Sequence, residues 1–158
     1  MRLLDYLSLE RIAVDMEAKN KEEALRCLVD LLVKSGDVEK ENKEKVLEVL
    51  KEREKLGSTG VGGGVAIPHG YSEEVKKVIL SVVISKKGVD FDSLDGKPVY
   101  IFFLLVSPPS SHLLHLKVLA RIARFTKDKE FREKLISAGS PQEIYEIIRE
   151  REEKEGMK

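Results

Sequence analysis

At 158 residues, with 42% apolar and 35% charged side chains, the chain is long enough to bury one core and too apolar to stay disordered. Its 28 basic and 28 acidic residues balance to a formal charge of zero, which leaves no general basic excess to attract nucleic acid. The lone Cys27 excludes an internal disulfide and a thiolate zinc cage, and it reads as a small buried apolar residue in an amphipathic pattern.

The N-terminal stretch MRLLDYLSLERIAV is interrupted by Asp5, Glu10 and Arg11, so it lacks the apolar core of a signal peptide. No apolar run approaches the roughly 20 residues that span a bilayer, and a cytoplasmic protein is the default expectation. Residues 3–9 read as a short amphipathic helix or turn. In residues 11–16, Ile12, Val14 and Met16 alternate as in a half-buried strand. Asn20 and Glu23 stand at capping-box spacing and open a helix. It carries Ala24, Leu25, Leu28, Leu31 and Leu32 on one face and stops near Gly36. Residues 41–53 repeat the pattern through Val46, Leu47, Val49 and Leu50, giving a second helix.

The next stretch, residues 51–70 (KEREKLGSTGVGGGVAIPHG), organises the chain. The hydroxyl pair Ser58 and Thr59 is followed by Gly60, Gly62, Gly63 and Gly64, a backbone almost bare of side chains. It reads as a flexible turn feeding the short strand 65–67. Pro68 restrains the approach, and His69 arrives where the strand stops. Such a histidine, beside open amides and hydroxyls, suits the attack on or carriage of a phosphoryl group. The bland alternative is a strand-end imidazole satisfied by a backbone carbonyl. The glycine run is not a Walker A loop, because no Gly-Lys-Ser/Thr follows, and it leads into a strand where a dinucleotide fingerprint leads into a helix. Arg53 belongs to a charge run, and its place just upstream of the glycines makes it a candidate partner for phosphate.

Residues 78–84 (VILSVVI) form a continuous β-branched run, hence a strand buried on both faces, ended by a turn at Lys86, Lys87 and Gly88. An irregular loop from Phe91 closes at Asp95 and Gly96. Residues 99–106 (VYIFFLLV) are the most apolar segment and the expected central strand. Residues 107–111 break it, and helices follow over 112–125, 128–138 and from Ser140-Pro141 onward. The charged tail from about residue 149 is expected to fray, leaving one domain over 1–150 and a tail over 151–158. Helices, then strands, then helices make an α/β protein: a three-layer α/β/α sandwich with a mixed sheet. His112 and His115 lie three apart on one helical face, and a buried structural imidazole is an alternative for either. Zinc on His69, His112 and His115 is possible in number, but no carboxylate or spacing demands it, and no metal is expected.

The run from Arg53 to Gly70, RE-x-LGSTG-x-G-x-G-x-AIPHG, resembles the active-site signature of enzyme IIA of the phosphoenolpyruvate-dependent sugar phosphotransferase system, mannitol/fructose class, which includes the nitrogen-regulatory IIA proteins. HLKVLARIAR (115–124), FREKL (131–135), FDSLDGKPV (91–99) and SPQEI (140–144) extend the likeness over nearly the whole chain. The resemblance implies a phosphotransferase component phosphorylated on His69, with HPr as donor, a IIB domain as acceptor and the membrane reached only through the permease. It implies a mixed sheet flanked by helices and no cofactor. It also implies a second active-site histidine at the head of the helix after the central strand; the spacing on to Phe131 favours His115 over His112. Arg53 matches an arginine near the phosphorylation site. With His115 and Arg53, the hydroxyls or amides of Ser58, Thr59, Gly60, Gly62 and Gly64 are expected to hold the phosphoryl oxygens. Gly63 departs from the family's pattern, where a polar or acidic side chain is common. The other function to weigh is a regulatory module whose His69 phosphorylation state controls partner proteins without onward sugar phosphorylation.

Overall fold

The computed structural model describes residues 1–156. In chain order its strands are β1 (Ile12–Ala13), β2 (Gly60–Gly62), β3 (Val65–Ala66), β4 (His69–Tyr71), β5 (Ile79–Val89) and β6 (Val99–Ser107). The α-helices are α1 (Lys21–Lys34), α2 (Lys43–Lys55), α3 (His112–Thr126), α4 (Lys129–Ser137) and α5 (Pro141–Gly156). The six strands form one sheet in the order β1-β5-β6-β3-β2, with β4 also paired to β6. β5 runs antiparallel to β6, whereas β3 and β4 run parallel to it, so the sheet is mixed.

The near-continuous apolar run of β6 follows from helices lying on both faces. Ile101, Phe103 and Leu105 enter one core with Val118, Ile122 and Phe125 of α3, Phe131 and Leu135 of α4, and Ile144 and Ile148 of α5. Phe102, Leu104 and Val106 enter the other with Leu25, Leu28 and Leu32 of α1 and Val46, Leu47 and Leu50 of α2. Alternation along one strand thus supplies two cores, and the architecture is an α/β/α sandwich. Asn20 caps α1, its side chain accepting from the Glu23 amide at 2.9 Å.

Four local expectations are corrected. The segment 3–9, expected as a short helix or turn, forms two short 3₁₀ turns, Leu3–Tyr6 and Leu9–Arg11, while the strand expected over 11–16 keeps only Ile12 and Ala13. Lys86, Lys87 and Gly88 do not end β5; they form an irregularity within it, with Gly88 at φ +84°. Cys27 is only half-buried at the margin of the α1–α2 core. The tail does not fray at residue 149, nor does a boundary fall at 150: α5 continues to Gly156, and residues 157 and 158 lie outside the described residues. The reason is tertiary. Glu152 is buried, accepts from the Leu3 amide and takes a hydrogen bond from the Arg121 guanidinium at 2.6 Å, while Arg151 stacks 4.5 Å from the Phe125 ring centroid. A charged sequence is ordered here because its charges have partners on α3 and at the N-terminus.

Candidate active site

β3 and β4 share one neighbour. Val65 and Ala66 pair with Ile101 and Phe102, and His69, Gly70 and Tyr71 pair with Leu105, Val106 and Ser107. Pro68 breaks the run between them while its carbonyl accepts from the Leu105 amide at 3.0 Å. Register partners share a face, so His69, Tyr71 and Ser107 project with Leu105 toward α3, and Gly70 faces α2. A Cβ on Gly70 would stand 2.6 Å from Val49 Cγ1; glycine is what lets α2 lie this close. The close approach carries Arg53 of α2 to the His69 ring from one side, while α3 brings His115 from the other.

The hydrogen bonds of His69 define its chemical state. Nδ1 lies 2.7 Å from the Ile67 carbonyl oxygen, which can only accept, so Nδ1 carries the ring proton. Nε2 therefore holds the lone pair, and Arg53 Nε donates to it at 3.3 Å. The same guanidinium donates from Nη1 to the Gly57 carbonyl at 2.8 Å, which anchors it to the end of α2. Burial lowers the pKa of His69, and the Arg53 charge lowers it further against the Ile67 hydrogen bond, which raises it. The half-buried ring is thus a neutral imidazole with its free nitrogen toward the guanidinium.

His115 sits 5.8 Å from His69, centroid to centroid, and is only 1% exposed. Its Nδ1 lies 2.7 Å from Ser107 Oγ, and Nε2 is buried without a hydrogen-bond partner. Burial, reinforced by repulsion from His69 and His112, pushes its pKa down to about 4. Tyr71 lies over this ring at 4.3 Å, and its hydroxyl pairs at 2.7 Å with Nδ1 of His112, which is exposed. Both imidazoles line an open depression of about 560 Å³ with Val49, Arg53, Leu56, Tyr71 and Leu116.

Residues 5–151 match the model of the family described as "Phosphoenolpyruvate-dependent sugar phosphotransferase system, EIIA 2". The chain belongs to this family. It is 38% identical to a nitrogen regulatory protein of Bradyrhizobium diazoefficiens over 94% of this chain and 95% of that protein. It is 34% identical to the fructose-specific EIIA component of the PTS system of Haloferax volcanii, over 90% of this chain and 91% of that one. The solved structure of nitrogen regulatory protein IIA-Ntr from Neisseria meningitidis superposes with a TM-score of 0.83 at 37% identity, over 91% of this chain and 97% of that one.

In this EIIA chain the structure brings Arg53, His69 and His115 together and leaves the glycine loop out. Ser58 Oγ donates to the Phe91 carbonyl and accepts from the Gly60 amide, each at 3.0 Å. The Thr59 amide and hydroxyl both donate to Glu54. Gly62, Gly63 and Gly64 turn the β2–β3 hairpin at φ +102°, +67° and +80°, beside Asp95, Arg132 and Tyr100. The phosphate-holding role expected of Ser58, Thr59, Gly60, Gly62 and Gly64 gains no support from this arrangement, in which Ser58, Thr59 and the Gly60 amide hydrogen-bond within the loop, to Phe91 and to α2. Gly62 and Gly64 take left-handed backbone, whereas at Gly60 a Cβ would stand 3.0 Å from the Ser93 Cα.

Three contributors escaped the sequence reading. Tyr71 stands two residues after His69, the strand spacing that shares a face, and this signal was available. Glu54 looked like one more member of a charge run, yet it is buried between Thr59 and Lys21 Nζ, 3.1 Å away, and ties the loop to α2. Ser107 ends a strand and carried no signal, since its partner is set by packing. Among the described residues, no cluster of three or more His, Cys, Asp or Glu side chains is placed to hold a metal ion, and no helix is long and apolar enough to cross a membrane.

Proposed function

We propose that this chain is a histidine phosphocarrier that accepts a phosphoryl group from phospho-HPr on Nε2 of His69 and passes it to a IIB domain of the fructose/mannitol class. The observation that carries this reading is the pair of hydrogen bonds on His69, which leaves Nε2 unprotonated and facing a cation. The Nε2 lone pair attacks phosphorus in line, the donor's bond to phosphorus breaks, and the proton stays on Nδ1, donated in the hydrogen bond to the Ile67 carbonyl. That carbonyl then shares the positive charge the ring acquires. The Arg53 guanidinium, already within reach of Nε2, and the Nε2–H of His115 hold the equatorial oxygens. Onward transfer runs the same steps in reverse to a second partner.

A carrier needs a surface on which two proteins dock in turn. Leu56, just past the end of α2, and Leu113 and Leu116 of α3 are 85%, 74% and 46% exposed, an apolar margin of the kind that mediates protein contact. Docking in the cytoplasm, with the membrane reached only through the permease that owns the IIB domain, fits this arrangement.

The second reading is a regulatory module whose His69 phosphorylation state controls partner proteins. The relatives named nitrogen regulatory proteins support it. Both readings share the His69 step and are separated by onward transfer.

Incubation with phosphoenolpyruvate, enzyme I and HPr is expected to place an acid-labile phosphate on the wild type and none on His69→Ala. Equal labelling of the variant overturns the assignment. Transfer from the labelled protein to a fructose- or mannitol-class IIB domain then supports the carrier, and its absence across such domains supports the regulator.

A further inference from the structure

His69 and His115 are held by different kinds of partner. The Ile67 carbonyl can only accept, so it locks His69 as the Nδ1–H tautomer. A hydroxyl can donate or accept, and the Ser107 hydroxyl has His115 as its hydrogen-bond partner, with both side chains buried. Ser107 itself is fixed from both sides: its backbone pairs with Tyr71, and its carbonyl accepts from the Ser72 amide at 2.9 Å. His115 Nδ1 is taken up by Ser107, so Nε2 is the one polar ring atom left to meet a group arriving on His69.

A phosphoryl oxygen only accepts hydrogen bonds, so His115 serves it only with a proton on Nε2. A neutral ring protonated there has a bare lone pair on Nδ1, which in this buried position needs a donor. We propose that Ser107 is the positioning residue that supplies it, donating its hydroxyl hydrogen to His115 Nδ1 and so holding the imidazole as an Nε2–H donor in the phosphorylated protein. No covalent bond changes; a hydroxyl rotates and a tautomer is selected. The site thus uses opposite tautomers on its two rings, one set by a carbonyl to leave Nε2 bare and one by a hydroxyl to leave Nε2 protonated. The inference rests on the phosphocarrier reading and deepens it.

The test is ring ¹⁵N NMR on protein phosphorylated through HPr, with transfer rates for Ser107→Ala and Ser107→Thr. In the phosphorylated wild type, His115 is expected to show a protonated Nε2 and an accepting Nδ1. This measurement needs no substitution, so it stands even where a variant fails to fold. Ser107→Ala should shift the ring toward a tautomer mixture and slow transfer about 5- to 100-fold, the range expected when a buried polar atom loses its partner. Ser107→Thr, which keeps the hydroxyl, should restore both readouts. A wild-type His115 protonated on Nδ1, or a Ser107→Ala protein with unchanged tautomer and rate, overturns the inference alone when His69 is labelled and His115→Ala is slow. An unlabelled wild type overturns the phosphocarrier reading and this inference with it.

Discussion

His69 and His115 lie side by side yet occupy opposite kinds of place. His69 is on the sheet's short β4, half-open, between the end of α2 and the mouth of the depression; His115 is on α3, closed from water beneath Tyr71. The open ring has a charged neighbour and a lone pair facing it, which are the requirements of an acceptor. The closed ring has a hydroxyl on one nitrogen and nothing on the other, which suits a donor waiting for an anion. Burial depresses both pKa values; at His69 the permanent Arg53 charge adds to the effect, and at His115 repulsion from the neighbouring imidazoles does. Two identical side chains therefore take different hydrogen-bonding states from their surroundings alone.

The largest expected effect is at the open ring. His69→Gln removes the only nucleophile in this comparison, and phosphate incorporation should vanish while far-UV circular dichroism stays native. Incorporation on the neighbouring His115 instead would reverse the assignment of the two rings. Arg53→Ala comes next. A charge-assisted hydrogen bond is worth about 1.5 to 3 kcal/mol, so transfer should slow about 10- to 150-fold. The same variant should raise the His69 pKa in an NMR titration, because a depressing charge is gone. A pKa that stays put would mean that burial alone sets the state of the ring.

The closed ring should reveal itself in stability. His115 has a folded pKa of about 4, below the ordinary value of about 6.5 for an exposed histidine. Above about pH 6.5 neither folded nor unfolded state binds the proton and the full stability is present. As pH falls toward 4 only the unfolded chain binds it, so stability is lost. From about pH 7.5 to about pH 5 the loss from this one group is on the order of 2 kcal/mol, measurable by urea denaturation. His115→Gln should flatten that part of the profile; an unchanged slope would show that His115 is not what titrates. The smallest effect concerns the seam between the two places. Gly70→Ala sets a methyl group against Val49 and should destabilise by about 1 to 2 kcal/mol, partly recovered in the double variant with Val49→Ala. A neutral Gly70→Ala would mean that α2 can withdraw without harm.

Much of this was legible along the chain, and its limits are informative. The runs 78–84 and 99–106 announce strands covered on both faces because every residue in them is apolar or small. Asn20 announces the start of α1 because its cap partner is three residues away. Residues 149–156 misled, since their composition matches a solvated tail and their partners, Leu3, Arg121 and Phe125, are distant in sequence. The glycine loop was ambiguous for a different reason. Bare backbone signals either an open anion cradle or left-handed φ, and composition does not separate the two; the structure shows left-handed φ at Gly62, Gly63 and Gly64.

The sequence by itself determined the apolar periods, the caps and the sandwich they demand, because these depend on neighbours within one or two turns of chain. Its resemblance to the family also named Arg53, His69 and His115 together as candidates for one site. Only the tertiary structure decided that α2 and α3 reach β4 from either side, which nitrogen of His69 bears the proton, and that Ser107 and Glu54 belong to the arrangement. Those facts are made by register and packing between elements far apart in sequence, where a shift of one residue in β4 would turn His69 to the other face.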